Sequence, residues 1–529
     1  MEKIINSIML SAALTASVNQ AEAKTPQKPN VLFILADDYG WMDMGCMGSK
    51  YYETPNLDRL ASEGIRFTNA YAACQVSSPS RASIMTGKYT PRHGVTDWIG
   101  EKSGEEWRQM NRHSKLLPAD YAWNLPAEEY TIAECLKDNG YTTFIAGKWH
   151  LGAEGSWPED HGFMINKGGW SAGSPTGGYF SPYQNPKLED GPKGENLSIR
   201  LGNETASFMR EHKRKNPDKP FFAYLSFYAV HGPLETTKEN WSHFRDKAES
   251  MGIAPNGFKV DRTLPVRQTQ DNPVYAGVIK EMDEAIGIVM EELKRLGLDK
   301  NTLVIFTSDN GGVASGDAYS SSQLPLRGGK GRQWEGGIRV PALMYYHGCQ
   351  AGSVCNVPIT GTDFYPTILD YAGLKMQPQQ HQDGISIMPV VKGDYQPDRP
   401  LFWHYPHYGN QGGEPSSIIR KGDWKLIYYY ESGNCELYNL AIDISENEPL
   451  NAQHPDKVKE LKAELMAWLD EVDARKPVAD PLYNPQKEAE VKRRWSTKVL
   501  EEQEKSRKNM LKKGWKPNTD WWNSATVND

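Results

Sequence analysis

Four apolar runs, each closed by polar or charged residues, constrain what this chain can fold into. The first is Val31 to Ala36 in NVLFILADD; YTTFIAGKWH, FFAYLSFYAVH and NTLVIFTSDN follow. A short continuous apolar run with polar ends reads as a strand buried on both faces. Between the runs lie segments with helix punctuation. In ETPNLDRLASEG, Thr54 is the expected cap, Pro55 the first helical residue and Gly64 the stop. TIAECLKDNG opens on a capping box, Thr131 with Glu134, and stops at Gly140. Between Pro273 and Gly297, Val278, Met282, Ile286, Val289 and Leu293 recur at helical spacing. Strands alternating with helices predict an α/β domain whose mostly parallel sheet is flanked by helices.

In such sheets ligands bind beyond the carboxyl ends of the strands. The four runs are followed there by Asp37 and Asp38, by Lys148 and His150, by His231, and by Asp309 and Asn310. One such residue would mean little, since a capped strand end is the usual role of an Asp pair. Four strands delivering metal-type or acid–base residues to one edge point to a site.

The chain has 529 residues, more than one ordinary core takes, so two to three domains are expected. Residues 1–23 read as a cleavable secretory signal, with an apolar run after one lysine and an Ala21-Glu22-Ala23 cut, so a periplasmic or secreted protein is expected. The run is too short and too interrupted for an anchor, and no transmembrane segment is expected in the mature chain. Residues 24–395 form the expected main domain. Residues 396–485 change to short antiparallel strands and an amphipathic helix, a smaller α+β unit. Residues 486–529 are highly charged and read as a solvated helical extension over the surface, not a binding element. Six cysteines are too few for a disulfide scaffold; Cys349 and Cys355 could pair after export, and two free thiols are an equal alternative. A net charge of -7 argues against a nucleic-acid partner, while leaving room for a basic pocket.

Asp37, Asp38, Asp309 and Asn310 are hard oxygen donors, suited to calcium or magnesium rather than zinc. Arg81, Lys88, Lys148 and Lys330 stand against them in turns rich in glycine or serine. A divalent metal ringed by Lys and His describes a site for a tetrahedral oxyanion ester, phosphate or sulfate. CQVSSPSRASIMTGK offers two nucleophiles, Cys74 and Ser77. Ser78 is the expected cap of a helix with Pro79 in its first turn, which puts Ser77 at the anion-favouring end. Cys74 lies outside that geometry and reads as a small buried residue.

The segment Ser77-Ser78-Pro79-Ser80-Arg81, followed by Thr86-Gly87, resembles the signature of the type I, formylglycine-dependent sulfatases, arylsulfatase-like members of the alkaline phosphatase superfamily. The likeness extends over the mature chain, most closely over 30–100 and 301–343. It implies an alkaline-phosphatase-like fold and sulfuric ester hydrolysis. It also implies oxidation of Ser77 to formylglycine (3-oxoalanine), here in the serine version, by an anaerobic sulfatase-maturing enzyme of bacteria. By the same resemblance Asp37, Asp38, Asp309, Asn310 and modified Ser77 hold one calcium. Arg81 and Lys88 support the formylglycine hydrate, Lys148 and Lys330 bind sulfate oxygens, His150 assists breakdown of the intermediate and His231 protonates the leaving alcohol. His93 in PRHG matches a recurring family position away from the chemistry.

The implied substrate is a sulfated glycan fragment or another sulfate ester. Trp98, Arg112, His113, Trp170, Arg327, Trp334, His404 and His407 lie in loops that could line its pocket, with His404 and Arg327 taken as substrate-binding. Two other readings stand beside this one. A phosphate mono- or diester hydrolase of the same superfamily would share the acidic ligands, and a glycan-binding protein without catalysis would have lost a signature residue.

Overall fold

The computed structural model describes residues 27–110, 112–515, 517 and 525–527; the expected signal segment and its cut after Ala23 lie outside the described residues. Nine strands form the central sheet: β1 (Asn30–Ala36), β2 (Ile65–Tyr71), β3 (Thr142–Gly147), β4 (Ile165–Lys167), β5 (Phe221–Ser226), β6 (Thr302–Ser308), β7 (Arg339–Tyr345), β8 (Ser353–Cys355) and β9 (Ile359–Thr360). Their order is β8-β2-β7-β6-β1-β5-β3-β4, with β9 also on β2. Only β7 runs against its neighbours, so the four apolar runs of the sequence are the parallel centre β6-β1-β5-β3.

The even apolarity of β1 follows from its place between two layers. Leu32, Ile34 and Ala36 face one core with helices α4 (Leu197–Lys215) and α5 (Pro273–Arg295). Val31, Phe33 and Leu35 face the other, with α3 (Ile132–Asp138) and α6 (Phe364–Tyr371). The Thr131–Glu134 capping box opens α3 as expected. At α1 (Pro55–Glu63) the expected Thr54 cap is not made. Its hydroxyl accepts from the Gly45 N–H at 2.9 Å, and only its carbonyl serves the helix. Cys349 and Cys355 are free thiols, not a disulfide. Among the described residues no helix is long and apolar enough to cross a membrane.

The later segment forms a four-stranded antiparallel sheet, β10 (Leu401–Tyr405), β11 (Ser416–Lys421), β12 (Trp424–Tyr429) and β13 (Cys435–Asn439). Helix α7 (Pro455–Glu471) covers its outer face, where Trp468 stacks on Phe402 at 4.5 Å. The inner face meets the main sheet through Trp403, whose indole N–H donates to the Ala72 carbonyl at 2.7 Å. Beside it lies a fully buried charge cluster. Lys425 Nζ reaches Glu335 at 3.0 Å and Glu446 at 2.7 Å, and Arg339 meets Glu335 at 3.2 Å. Burial pushes both carboxyls up; Lys425, Arg339 and Arg420 outweigh it at Glu335, held near about 2, while Glu446 stays at about 7.

Within the charged extension, residues 485–510 form one long helix, α8 (Pro485–Arg494), a π-helical turn (Trp495–Val499) and α9 (Leu500–Met510), and Ala525–Val527 lies as a short strand beside Glu235–Thr237. Most of it is solvated, but its end is docked. Met510 and Arg507 are buried, Arg507 pairs with Asp271 at 2.5 Å, and Trp241 donates to the Met510 carbonyl.

Among the described residues Lys425 is the cation that reaches Glu446, so removing it strands that buried carboxylate. Lys425→Met should cost about 3–5 kcal/mol, read as a lower urea midpoint. Adding Glu335→Gln should recover part of the loss. An unchanged midpoint in the single variant would show that this cluster does not hold the two sheets together.

Candidate active site

The expected edge exists. β1, β6, β3 and β5 end side by side, and Asp37, Asp38, Asp309, Asn310, Lys148, His150 and His231 follow their last residues. Asp38 and His150 adopt positive φ, 61° and 56°. Asp and His tolerate this left-handed region better than most residues. Ligand oxygens of Asp37, Asp38 and Asp309 lie within 4.8 Å of one another, all buried.

Each carboxylate has its own cation. Lys148 Nζ is 2.7 Å from Asp37, Lys330 Nζ 2.8 Å from Asp38, and Arg81 Nε 2.8 Å from Asp309. Asn310 joins the set by donating its amide to Asp38 at 2.8 Å. Ser77 closes it. Its hydroxyl lies 3.1 Å from Asp37 Oδ1, 3.4 Å from Asn310 Oδ1 and 3.2 Å from Lys148 Nζ. Cys74 is buried beyond this contact set, and burial raises its thiol far above the range of a reactive thiolate.

Helix α2 (Ser77–Thr86) starts two residues earlier than the expected Ser78 cap allows, with Val76 as its cap and no side-chain bond. Pro79 occupies the third helical position and has no N–H for a cap to satisfy. Ser78 is used elsewhere: its hydroxyl accepts from the Ile99 N–H at 3.0 Å and meets His150 Nδ1 at 3.3 Å. His150 Nε2 faces the Ile99 carbonyl at 3.1 Å, so both ring nitrogens are engaged. His231 Nδ1 must donate to the Gly232 carbonyl, 2.6 Å away, which leaves Nε2 toward Asp38 at 3.6 Å.

Burial acts on every charge here. It lifts Asp37 to about 8 despite Lys148, and it lowers Lys148 itself. At Asp38 and Asp309 burial also raises the carboxyl, but Lys330 with His231, and Arg81 with Lys148, outweigh it and hold both below the ordinary range. Burial and Lys330 lower His231 to about 4, and burial with Lys148 depresses His150 further. Four crowded oxygen donors, one carboxyl pushed to hold its proton, suit a hard divalent cation. Arg81 Nη2 is buried without a hydrogen-bond partner, 3.6 Å from Asp37, and can serve a further oxygen there.

A cavity of about 280 Å³ opens over Ser77, Lys148, His150, His231 and Lys330. Trp98 is in its wall, as the sequence suggested. Ser171, Ser174, Asp317, Asn410 and Gln411 share the wall and were not singled out. Their one sequence signal is glycine: a Cβ at Gly173 would lie 2.4 Å from His150 Cε1, so only glycine lets that loop cross the imidazole.

Other expected residues go elsewhere. Lys88 pairs with Glu129 at 2.8 Å, and His93 bonds Ser83 at 3.1 Å. His404 is buried between Ser417 and the Arg475 carbonyl, both at 2.8 Å, and His407 bonds Thr96 at 2.9 Å. Arg327 pairs with Asp261 and stacks on buried Trp334 at 3.8 Å. Neither His404 nor Arg327 lines the cavity over Ser77. They follow apolar, strand-like or glycine-rich context that proved to be the packing between the two sheets. Trp170 offers its carbonyl to the His150 N–H. Arg112 and His113 line a second cavity.

A family model described as Sulfatase matches residues 29–374, and one described as N-sulphoglucosamine sulphohydrolase, C-terminal, matches residues 330–475. A sulfatase of Formosa agariphila is 30% identical, covering 88% of this chain and 93% of its own. Human N-acetylgalactosamine-6-sulfatase is 32% identical over 79% of this chain and 75% of its own. The crystal structure of Ps i-CgsB in complex with k-i-k-neocarrahexaose superposes with a TM-score of 0.68 at 28% identity, covering 90% of this chain and all (100%) of that one. The mixed, mostly parallel sheet flanked by helices is the fold they share.

His404 and His93 are buried neutral: burial lowers them to about 4 and about 3, against 6.5 for the free side chain. The unfolded chain therefore binds their protons first. The contribution of these two histidines to stability should be constant above pH 6.5 and be lost as the pH drops toward 4 and then 3. Thermal melting across that range should show the decline, and His404→Gln should flatten part of it. An identical acid slope in the variant would remove His404 from the account.

Proposed function

The chain belongs to the sulfatase family and hydrolyses sulfuric esters; from that premise we propose an exported, serine-type formylglycine sulfatase acting on O-sulfated carbohydrates. The observation that supports it best is the place of Ser77. The residue heading the S-x-P-S-R signature sits within 3.4 Å of Asp37, Asn310 and Lys148 at once.

Asp37, Asp38, Asp309, Asn310 and modified Ser77 would hold one calcium. Calcium would supply charge against the sulfate oxygens, and formylglycine a hydrate whose second hydroxyl allows sulfate to be expelled, a step an ordinary serine ester lacks. The chain's own residues do the rest. Arg81, anchored on Asp309 and Ser226, has Nη2 free for a hydrate oxygen. Lys148 and Lys330, held by Asp37 and Asp38, present ammonium groups to the sulfate oxygens. His231 turns Nε2 toward the cavity and protonates the leaving alcohol; the negative charge of bound sulfate favours its protonated form. His150, tied between Ser78 and Ile99, orients the wall and takes a proton only on release from one of them. Lys88, on Glu129, has no part in this contact set.

The carbohydrate substrate is supported by the relatives' printed names, N-acetylgalactosamine-6-sulfatase among them, and by the neocarrahexaose bound to Ps i-CgsB. The signal-like start supports export to the periplasm or beyond, and serine at the modified position supports maturation by an anaerobic radical-type enzyme.

Expression in an anaerobic host able to mature serine-type sulfatases should yield a tryptic peptide 67–81 lighter by two hydrogens at Ser77. An active enzyme with unmodified Ser77 would sink the formylglycine reading. In the matured enzyme, His231→Ala should lower turnover of sugar sulfates by roughly 10²–10⁴-fold and of activated aryl sulfates far less. Equal losses on both would remove His231 as the acid. Chelation should abolish turnover, and added calcium should restore it.

A further inference from the structure

A second cavity of about 290 Å³ lies one loop away from the first. The loop 408–414 is the shared partition. Asn410 and Gln411 face the cavity over Ser77, while Gly409, Gly412 and Gly413 face the second. The partition is thin by construction. A Cβ at Gly413 would fall 1.7 Å from the Gly331 carbonyl, beside Lys330. Arg112 binds the Asn410 side chain from the far side of the same loop.

The remaining walls come from the segment 107–114, from Arg262, Thr263 and Glu431, and from the C-terminal extension; Arg262 is itself paired with Glu436. Tyr408 stacks on Trp107 at 5.8 Å, and Arg112 covers Trp107 at 4.8 Å. Across from them α8 presents Lys492, Arg494 and Trp495. Trp495 is also the residue where that helix opens into its π-helical turn. Such turns are rare and concentrate at functional sites. The carboxylates of the cavity are engaged by neighbours: Glu431 by the Tyr408 hydroxyl, Glu488 by Lys492 at 2.7 Å, Glu414 by Gln333 at 3.3 Å. Arg112 spends its bond on a neutral amide, and among the described residues Arg494 has no carboxylate partner. Two guanidinium groups beside aromatic walls suit a sugar ring that carries an oxyanion, because the planar fork matches sulfate geometry.

We propose that this cavity is a distal subsite for a sulfated ring of an oligosaccharide whose reacting ring lies over Ser77, and that the C-terminal extension supplies its outer wall through Arg494 and Trp495. The proposal rests on the glycan-sulfatase reading above. A solvated helix needs no tryptophan at a π-turn facing a cavity. A glycan longer than one unit gives that residue a role.

The test uses the full-length matured enzyme with two sulfated hexasaccharides, one of chondroitin 6-sulfate and one neocarrahexaose, and with p-nitrophenyl sulfate. The ratio of kcat/KM for the preferred hexasaccharide to that for the aryl ester should fall roughly tenfold in Trp495→Ala, mainly through KM. It should fall similarly in Arg494→Gln, and Trp495→Phe should retain most of it. Binding is read separately by calorimetry on a Ser77→Ala background, which does not depend on turnover. There Trp495→Ala should weaken the hexasaccharide by a similar factor, provided melting shows both proteins folded. Unchanged ratios and unchanged binding in both variants would overturn the subsite. Turnover of aryl sulfate with no turnover or binding of either hexasaccharide would overturn it together with the glycan reading. Binding sensitive to Trp495 without glycan turnover would support the subsite while sinking the substrate assignment alone.

Discussion

Three ion pairs buried at one sheet edge set the terms for the rest of the molecule. Asp37 with Lys148, Asp38 with Lys330 and Asp309 with Arg81 are nearly free of solvent, at contacts of 2.7–2.8 Å. Desolvating a charge costs several kcal/mol per ion, and only close geometry with further hydrogen bonds offsets it. That cost explains why the pairs are so fully over-determined. Asp309 also accepts from the Asp38 N–H, and Arg81 also donates to Ser226. The strands must end in register for these contacts to form, and β1 pairs residue by residue with β6 from Asn30 to Ala36.

The second sheet is part of the same construction. Lys330 stands on a buried glycine-rich loop, where its N–H donates to the Gly312 carbonyl and the Gly331 N–H to the Gln75 carbonyl. Just beyond the loop the chain is held at Glu335 by the buried Lys425 of the second sheet, and Gly413 packs so close to the Gly331 carbonyl that no Cβ would fit there. A cation that must meet Asp38 within a bond length is thus fixed from two directions. The later unit is a buttress for catalytic geometry, and its inner face is accordingly aromatic and charged rather than solvated.

What was legible in the sequence is what lies close along the chain. A buried strand writes a continuous apolar run, and the residues after it inherit a known edge, so Asp37, Asp38, Lys148, His231, Asp309 and Asn310 were readable from position alone. Ser77 and Arg81 were readable from a spaced motif. The cavity walls were not, because they are assembled from distant loops. Asp317, Asn410, Ser171 and Ser174 meet only in the folded chain, and none carries a local signature. The misplacements have the same origin. His404 looks functional as a polar residue among aromatics and Arg327 as a cation in a glycine-rich loop, yet a buried imidazole satisfied by Ser417 and a carbonyl is a packing solution. Lys88 stands in a glycine turn near the signature, but Glu129, forty-one positions on, takes its charge.

The C-terminal extension shows how a charged, largely solvated helix can still be fixed in place. Its charge and sparse apolar residues fit a solvated helix, and much of its surface is one. Sparse anchors are nevertheless enough when each is placed. Arg507 and Met510 fix the helix end on the main domain, and that end in turn fixes the azimuth at which Trp495 and Arg494 point. A helix is a rigid lever of 1.5 Å per residue. Two buried contacts, twelve to sixteen residues away, therefore determine what its other turns can face. The few buried residues of a charged helix, here Arg507 and Met510, are then the ones that define its geometry.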